Sequence, residues 1–492
     1  MQGEIFIKCI YLSDVFDLSN EIIEKNLKVF LCDDSLKAPD SKVISSPCFN
    51  PESFTVGDRI LKPRYLNESE ANFEKWCYEL IFDQLNRISV EEQIKFYDIK
   101  ETAIIIRKNL QLLLSFEENG IQIQNKIWNQ EFIDILRHII GYSLDGDPSK
   151  IYHTHKMFNK LAKEIIPLVI SEIQKEKLDL LKTLKLGIIS GMSGLDLKGT
   201  SAASSLYSNS GIQMESYFHL SAQESAQIYY QELTSRLICP TPVFYWENFI
   251  KEVSGNIKKK IVWFTDDFIE SFFDLLFIDK LLDEYSNVEL TIMPKKGNYG
   301  NDISWSDIIE ILRLDIFKKF KEHMVNGRFS ICQNGPGMGT INLKKLSDEA
   351  IDILEDADFV VVKGCRSHEM IQGGLNKPSF SMFIVSREFS EKTTGFDAKE
   401  SPLLLIYLLP GEYAFYGFKN IDLREKAFSD DRNKHYCKST LKDHERRKKI
   451  NDSEQLIVEL QNFFEYQLKE IYKPELKEMS IMLEHFSRFE AK

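Results

Sequence analysis

The sequence predicts an α/β protein: a Rossmann-like three-layer parallel sheet domain with a mainly helical N-terminal domain. From position 184 onward, short β-rich runs alternate with amphipathic segments, the pattern of a parallel sheet whose connecting helices cover both faces. Before that position strand-like runs are few, and apolar residues recur every three to four places over 73–85 and 102–116, the period of a helix with one buried stripe. The run IVWFTDDF at 261–268 ends an apolar strand on two adjacent carboxylates, and open α/β sheets place ligands at the carboxyl ends of their strands.

Taken in order, 39–58 is rich in Pro and Ser and reads as an irregular connection. Strands are expected at 184–190, 261–264, 288–293, 328–332, 359–363, 380–386 and 403–408. Ser304 with Asp307, and Ser347 ahead of Asp348 and Glu349, are spaced to cap the helices between them. The Ser- and Gly-rich stretch 190–212 directly follows the first strand. Its composition is that of a surface loop, with a lid or phosphate cradle as the functional alternative. Beyond Gly417 the chain is highly charged, with a cationic run at 435–449 that reads as a solvated linker or helix face and an amphipathic helix over 453–472.

A chain of 492 residues exceeds the size at which one core stops growing, about 250–300 residues, so two or three domains are expected. The boundaries above give a helical N-terminal domain over 1–180, an α/β catalytic domain over 181–420 and a charged helical C-terminal extension over 421–492. The net charge of −13 disfavours binding to nucleic acid or an anionic membrane, so an anionic substrate needs local capture by a metal ion or placed cations. The eight cysteines are scattered without a C-x-x-C, which fits a reducing, cytoplasmic compartment rather than a structural zinc cluster. The N-terminus has no basic segment followed by an apolar one, and the longest apolar run, 403–409, is too short to span a bilayer. No membrane partner is therefore expected, and the oligomeric state is left open.

Asp266, Asp267 and Asp302 are expected at the ends of neighbouring strands, a hard-cation oxygen set suited to magnesium or manganese. A strand that has just ended frees two consecutive side chains from strict alternation, so Asp266 and Asp267 can reach one ion. The alternative is that one of the pair, or Asp302 beside Ser304, serves the N-terminus of the following helix. Lys363 ends the strand FVVVK; as a point charge there it suits a phosphoryl oxygen, with snorkelling to solvent as the plain alternative. Gly364 would allow close backbone approach, and Arg366, His368 and Glu369 are further candidates.

The run DDFIESFFDLLFIDKLL, the loop MPKKGNYGND and the segment DEAIDILEDADFVVVKGCRSHE together resemble the damage-control phosphatase family, also called domain of unknown function 89 or acidic-residue methyltransferase-like. The family pattern has Asp-Asn ending a strand, then Glu with Phe-Asp after it, a later Asn-Asp or Ser-Asp, and Ala-Asp before a strand and Lys-Gly. The segment at 146–169 also resembles the family, so the likeness covers 146–390. It implies metal-dependent hydrolysis of small phosphate esters, sugar phosphates or damaged phosphometabolites, with manganese or magnesium, and cobalt or nickel as alternatives. By position Asp266, Asp267 and Asp302 take the metal and Lys363 the phosphate, while Glu270 orients a water. Ser190, Gly191, Asn301, Gly364 and Arg366 are expected to line the substrate. Asp267 stands where the family usually has Asn, Ser367 where it has Asn, and Gly191-Met192 where it has Gly-Asn.

Two rival readings follow. NGPGMGT at 334–340 resembles the glycine loop of S-adenosylmethionine-dependent methyltransferases, but that chemistry wants an acid ending the next strand, which instead ends in Lys363. The other is a catalytically decayed scaffold that serves as an interaction module. Haloacid-dehalogenase chemistry needs two acids one residue apart, against TDDF here, and a serine hydrolase needs a G-x-S-x-G that is absent.

Overall fold

In a computed structural model of the chain, the described residues are 153–192, 220–296, 302–335, 341–371, 373–385 and 400–411, with short pieces at 42, 45–49, 104, 106–107, 117–118, 121–122, 394, 396, 457–458 and 462. The strands are β1 (Val243–Phe244), β2 (Lys259–Phe264), β3 (Val288–Met293), β4 (Phe329–Ile331), β5 (Phe359–Lys363), β6 (Ser379–Ile384) and β7 (Leu403–Leu408). They form one seven-stranded sheet in the order β1-β7-β6-β5-β2-β3-β4. A separate two-residue antiparallel ladder joins Glu117–Glu118 to Ile121–Gln122.

The helices are α1 (His153–Lys175), α2 (Leu180–Ile189), α3 (Ala222–Ser235), α4 (Trp246–Val253), α5 (Phe268–Glu284), α6 (Trp305–Ile311), α7 (Phe320–Val325), α8 (Asp348–Asp356) and α9 (Cys365–Ile371). Strand side chains alternate between two cores. Ile261, Trp263, Phe359, Val361, Phe380 and Leu405 meet α1 to α7 on one face. Val262, Phe264, Val360, Val362 and Leu404 meet α8, α9 and Cys48–Phe49 on the other. This two-sided burial is why the strands read as near-continuous apolar runs, and it gives the three layers the sequence predicts. Ser304 forms a full capping box with Asp307, and the Ser347 side chain accepts from Ala350 N–H.

The structure corrects two expectations. Segment 184–190 is no strand: it is the second half of α2 with its C-cap, entered through Asp179, whose side chain accepts from Lys182 N–H at 2.7 Å. A run buried nearly all round has no amphipathic period to tell helix from strand, and α2 is packed against α5 and the sheet. The sheet is also mixed, because β7 runs antiparallel to β6 while the short β1 pairs parallel to β7. An interior strand buried on both faces carries no sign of its direction in its composition.

Of the other expected helices, 104, 106 and 107 are helical within 102–116, and 457–458 and 462 within 453–472. Positions 73–85, 193–212, 336–340, Asn301 and 435–449 lie outside the described residues. No described helix is long and apolar enough to cross a membrane.

Candidate active site

β2, β3 and β4 succeed one another outward, and the chain then returns to lay β5 against the other side of β2. The carboxyl ends of β2 and β5 therefore flank a topological switch point, where diverging connections open a crevice. Asp266 and Asp267 follow β2, and Lys363 ends β5 with Gly364 next.

Asp267 is the N-cap of α5 with an extended backbone (φ −78°, ψ 153°), yet its side chain makes no capping hydrogen bond. Carboxylate oxygens of Asp266, Asp267 and Glu270 all lie within 4.8 Å of one another. Gly364 has φ +86°, and a Cβ there would lie 2.0 Å from Asp266 Oδ2. Only glycine tolerates both that conformation and that approach.

Asp302 arrives from the β3 side. It forms an isolated antiparallel bridge with Asp267, and Ile303 N–H donates to the Asp266 carbonyl at 2.8 Å. The structure thus brings the three predicted carboxylates to one strand edge. The Asp302 side chain is ion-paired with Lys295, which is 1% exposed. Burial pushes the Asp302 carboxyl up to about 6, with Lys295 opposing and Asp266 adding to the rise.

Lys363 does not snorkel. It continues the inward alternation of Phe359 and Val361, and its ammonium is enclosed by Glu270 Oε1 at 2.8 Å, Asp274 Oδ1 at 2.9 Å and the Gly187 carbonyl at 3.1 Å. Trp263 Nε1 donates to Asp274 Oδ2 at 3.3 Å. Two buried carboxylates face a single ammonium, so Lys363 can balance the charge of only one of them. Burial pushes Glu270 up to about 8 against the pull of Lys363, with Asp274 and Asp266 adding. Burial also raises Asp274, again opposed by Lys363. For Lys363 burial works against the charge, but Asp274 and Glu270 outweigh it and hold the amine above the usual lysine range.

The other candidates are placed less directly. Ser190 is buried, with its hydroxyl donating to the Gly187 carbonyl at 2.9 Å, so it closes α2. Gly191 lies over Glu270, where a Cβ would stand 3.3 Å from Oε1. Arg366, in the first turn of α9, lowers the Asp302 carboxyl through its charge. His368 is buried, its Nδ1 2.8 Å from Ser381 Oγ, away from the acidic cluster's hydrogen bonds.

Sequence reasoning gave no role to Trp263, Lys295, Gly187 or Asp274, although Phe273-Asp274 fills the Phe-Asp of the pattern quoted above. A signal existed for Asp274: Glu270 and Asp274 are one helical turn apart in FIESFFDLLF, an otherwise apolar stretch in which paired acids must find a buried partner.

The donor set fits a hard divalent cation. Asp266, Asp267, Glu270, Asp274 and Asp302 gather here, while the paired ammonium groups are those of Lys363 and Lys295, so acidic oxygens are in excess. Buried Thr265 Oγ1 and Ser367 Oγ, next to Asp266 and just after Gly364, have no hydrogen-bond partner among the described residues, as groups awaiting a polar ligand do. A second trio, Asp279, Asp283 and His323, lies at the far end of α5. There Lys319 pairs with Asp283 at 2.7 Å and His323 Nε2 lies 3.3 Å from Asp279 Oδ1, a polar network that ties α5 to α7.

Residues 152–395 match the profile of the damage-control phosphatase ARMT1-like domain. A damage-control phosphatase of Archaeoglobus fulgidus is 30% identical over 129 residues, covering 26% of this chain and 39% of that protein. The chain thus spans well under half the length of this relative. The crystal structure of a DUF89 family protein from Pyrococcus horikoshii aligns with 67% of this chain and 97% of its own, at 20% identity and a TM-score of 0.45.

Proposed function

Because the chain belongs to the damage-control phosphatase ARMT1-like family, we propose that it is a metal-dependent phosphomonoester hydrolase acting on a small phosphorylated metabolite, a sugar phosphate or a damaged phosphometabolite. The observation that carries this reading is the cluster of Asp266, Asp267 and Glu270 oxygens within 4.8 Å at the switch point, with Asp302 bridged to Asp267. Asp266, Asp267 and Asp302 would hold manganese or magnesium, with cobalt or nickel as alternatives, and Glu270 lies close enough to share the ion or its water. Such a cation polarises a phosphoryl group and lowers the pKa of water.

The chain's own residues do the rest. Asp266 is fixed from behind by Gly364, and its backbone carbonyl by Ile303, so this ligand is pre-positioned rather than placed on binding. Glu270, held by Lys363 at 2.8 Å and within 4.8 Å of the Asp266 and Asp267 oxygens, is placed to accept a hydrogen bond from the attacking water and so to orient it. Backbone amides around Gly191 and Gly364, with Asn301 and Arg366, would line the substrate. Asp267 in place of the family's usual Asn adds negative charge, which favours the cation and selects against highly charged esters. We place this activity in a reducing, cytoplasmic setting, in keeping with the scattered cysteines of the sequence.

The test is hydrolysis of p-nitrophenyl phosphate and a panel of sugar phosphates with each of the four cations. Asp266→Ala or Asp302→Ala is expected to abolish turnover while the circular dichroism spectrum stays native. Turnover that survives either substitution would remove the assignment.

A further inference from the structure

Resting on the phosphatase reading above, we propose that Asp274 is a positioning residue and that Lys363 serves the site from inside the protein, as the fixed counter-charge of Glu270, without touching the substrate phosphate. An ammonium has three N–H donors. Those of Lys363 are matched by Glu270 Oε1 at 2.8 Å, Asp274 Oδ1 at 2.9 Å and the Gly187 carbonyl at 3.1 Å, on a side chain that is 0% exposed. No donor remains for a phosphoryl oxygen. Freeing one would leave a buried carboxylate, or the buried Gly187 carbonyl, without its partner, at the cost of an unmatched polar group inside the protein.

Asp274 sets this arrangement. It lies one turn after Glu270 on α5, so both carboxylates face β5. Its Oδ2 accepts from Trp263 Nε1 of β2 at 3.3 Å and its Oδ1 from Lys363 of β5, so it is held by both strands that flank the switch point. α2 closes the assembly from above. A Cβ on Gly187 would lie 3.2 Å from Asp274 Oδ1 and 3.9 Å from Lys363 Nζ, so glycine is what lets that helix bring its carbonyl onto the amine. The line of contact runs from Trp263 and Asp274 through Lys363 to Glu270, and from there to the Asp266 and Asp267 oxygens. Charge near a substrate phosphate then falls to the cation and to groups at the crevice edge.

The test uses the full chain with manganese and p-nitrophenyl phosphate, and reads kcat, KM and inhibition by inorganic phosphate. Asp274→Asn is near-isosteric and is expected to lower kcat by about 10- to 100-fold, with KM and the phosphate inhibition constant unchanged within about twofold. Lys363→Met should show the same split. A fall in phosphate affinity of about tenfold or more in Lys363→Met, the value of a lost charge-assisted contact, would put the amine on the phosphate and overturn the proposal. So would an unchanged kcat in Asp274→Asn. Amine acylation of the wild-type chain, mapped by mass spectrometry, reads Lys363 without turnover or a variant that must fold. Lys363 should stay unmodified with and without inorganic phosphate, and labelling that phosphate suppresses would overturn the proposal. A wild-type chain that hydrolyses no ester sinks the phosphatase reading alone, because the labelling still reports on Lys363.

Discussion

A methyl group at position 364 would fall 2.0 Å from Asp266 Oδ2 on a backbone already at φ +86°. Gly364→Ala is therefore expected to cost about 1–3 kcal/mol in strain and to push Asp266 off its position. Urea unfolding should register the first effect and manganese titration calorimetry the second; wild-type affinity for the ion would mean that this contact does not hold Asp266. His368 offers a pH-dependent counterpart. Burial lowers its folded pKa to about 3, while the unfolded imidazole keeps its ordinary value near 6.5. Below about pH 6.5 the unfolded chain binds a proton that the folded chain refuses, so stability is lost as pH falls from 6.5 toward 3 and is unaffected above that window. The difference in urea midpoint between wild type and His368→Asn should shift against the wild type between pH 7 and pH 5, and parallel curves would refute the assignment.

At the level of elements, α2 decides how the site is roofed. Its C-terminal turn delivers Gly187 to Lys363, the 3₁₀ turn that follows (Ser190–Met192) brings Gly191 over Glu270, and its start depends on Asp179, whose carboxylate accepts from Lys182 N–H at 2.7 Å. Asp179→Ala should cost about 1 kcal/mol in chemical denaturation, and a neutral result would indicate that packing alone fixes the helix. α5 has the opposite character. It is buried over nearly all its length, as expected of a helix that is apolar all round, so its few inward acids can be placed with little competition from solvent.

For the molecule as a whole, one apolar core joins α1 through α7 to a face of the sheet, and Phe249 of α4 sits in its middle. Its ring meets Phe359 and Phe380 edge-on at centroid distances of 6.0 and 5.3 Å and is 0% exposed. Phe249→Ala should cost about 3–5 kcal/mol, measured by denaturant unfolding, and a loss below about 1 kcal/mol would contradict this packing. The same sheet sets the switch point, since β5 returning to β2 is what places Gly364 behind Asp266.

The sequence by itself determined what is written in local chemistry. Apolar runs of strand length ending on Asp266, Asp267 and Lys363 pointed to the class and to the edge proposed to carry the site, and Ser304 and Ser347 marked helix starts through side chains that reach their own backbone. Tertiary structure decided whatever depended on a distant partner. The helical state of 184–190, the direction of β7, the Lys295 partner of Asp302 and the enclosure of Lys363 by Asp274 each follow from contacts between segments far apart in the chain. Uniform burial erases the periodicity that separates helix from strand, and a charge reveals its role only once its counter-charge is beside it.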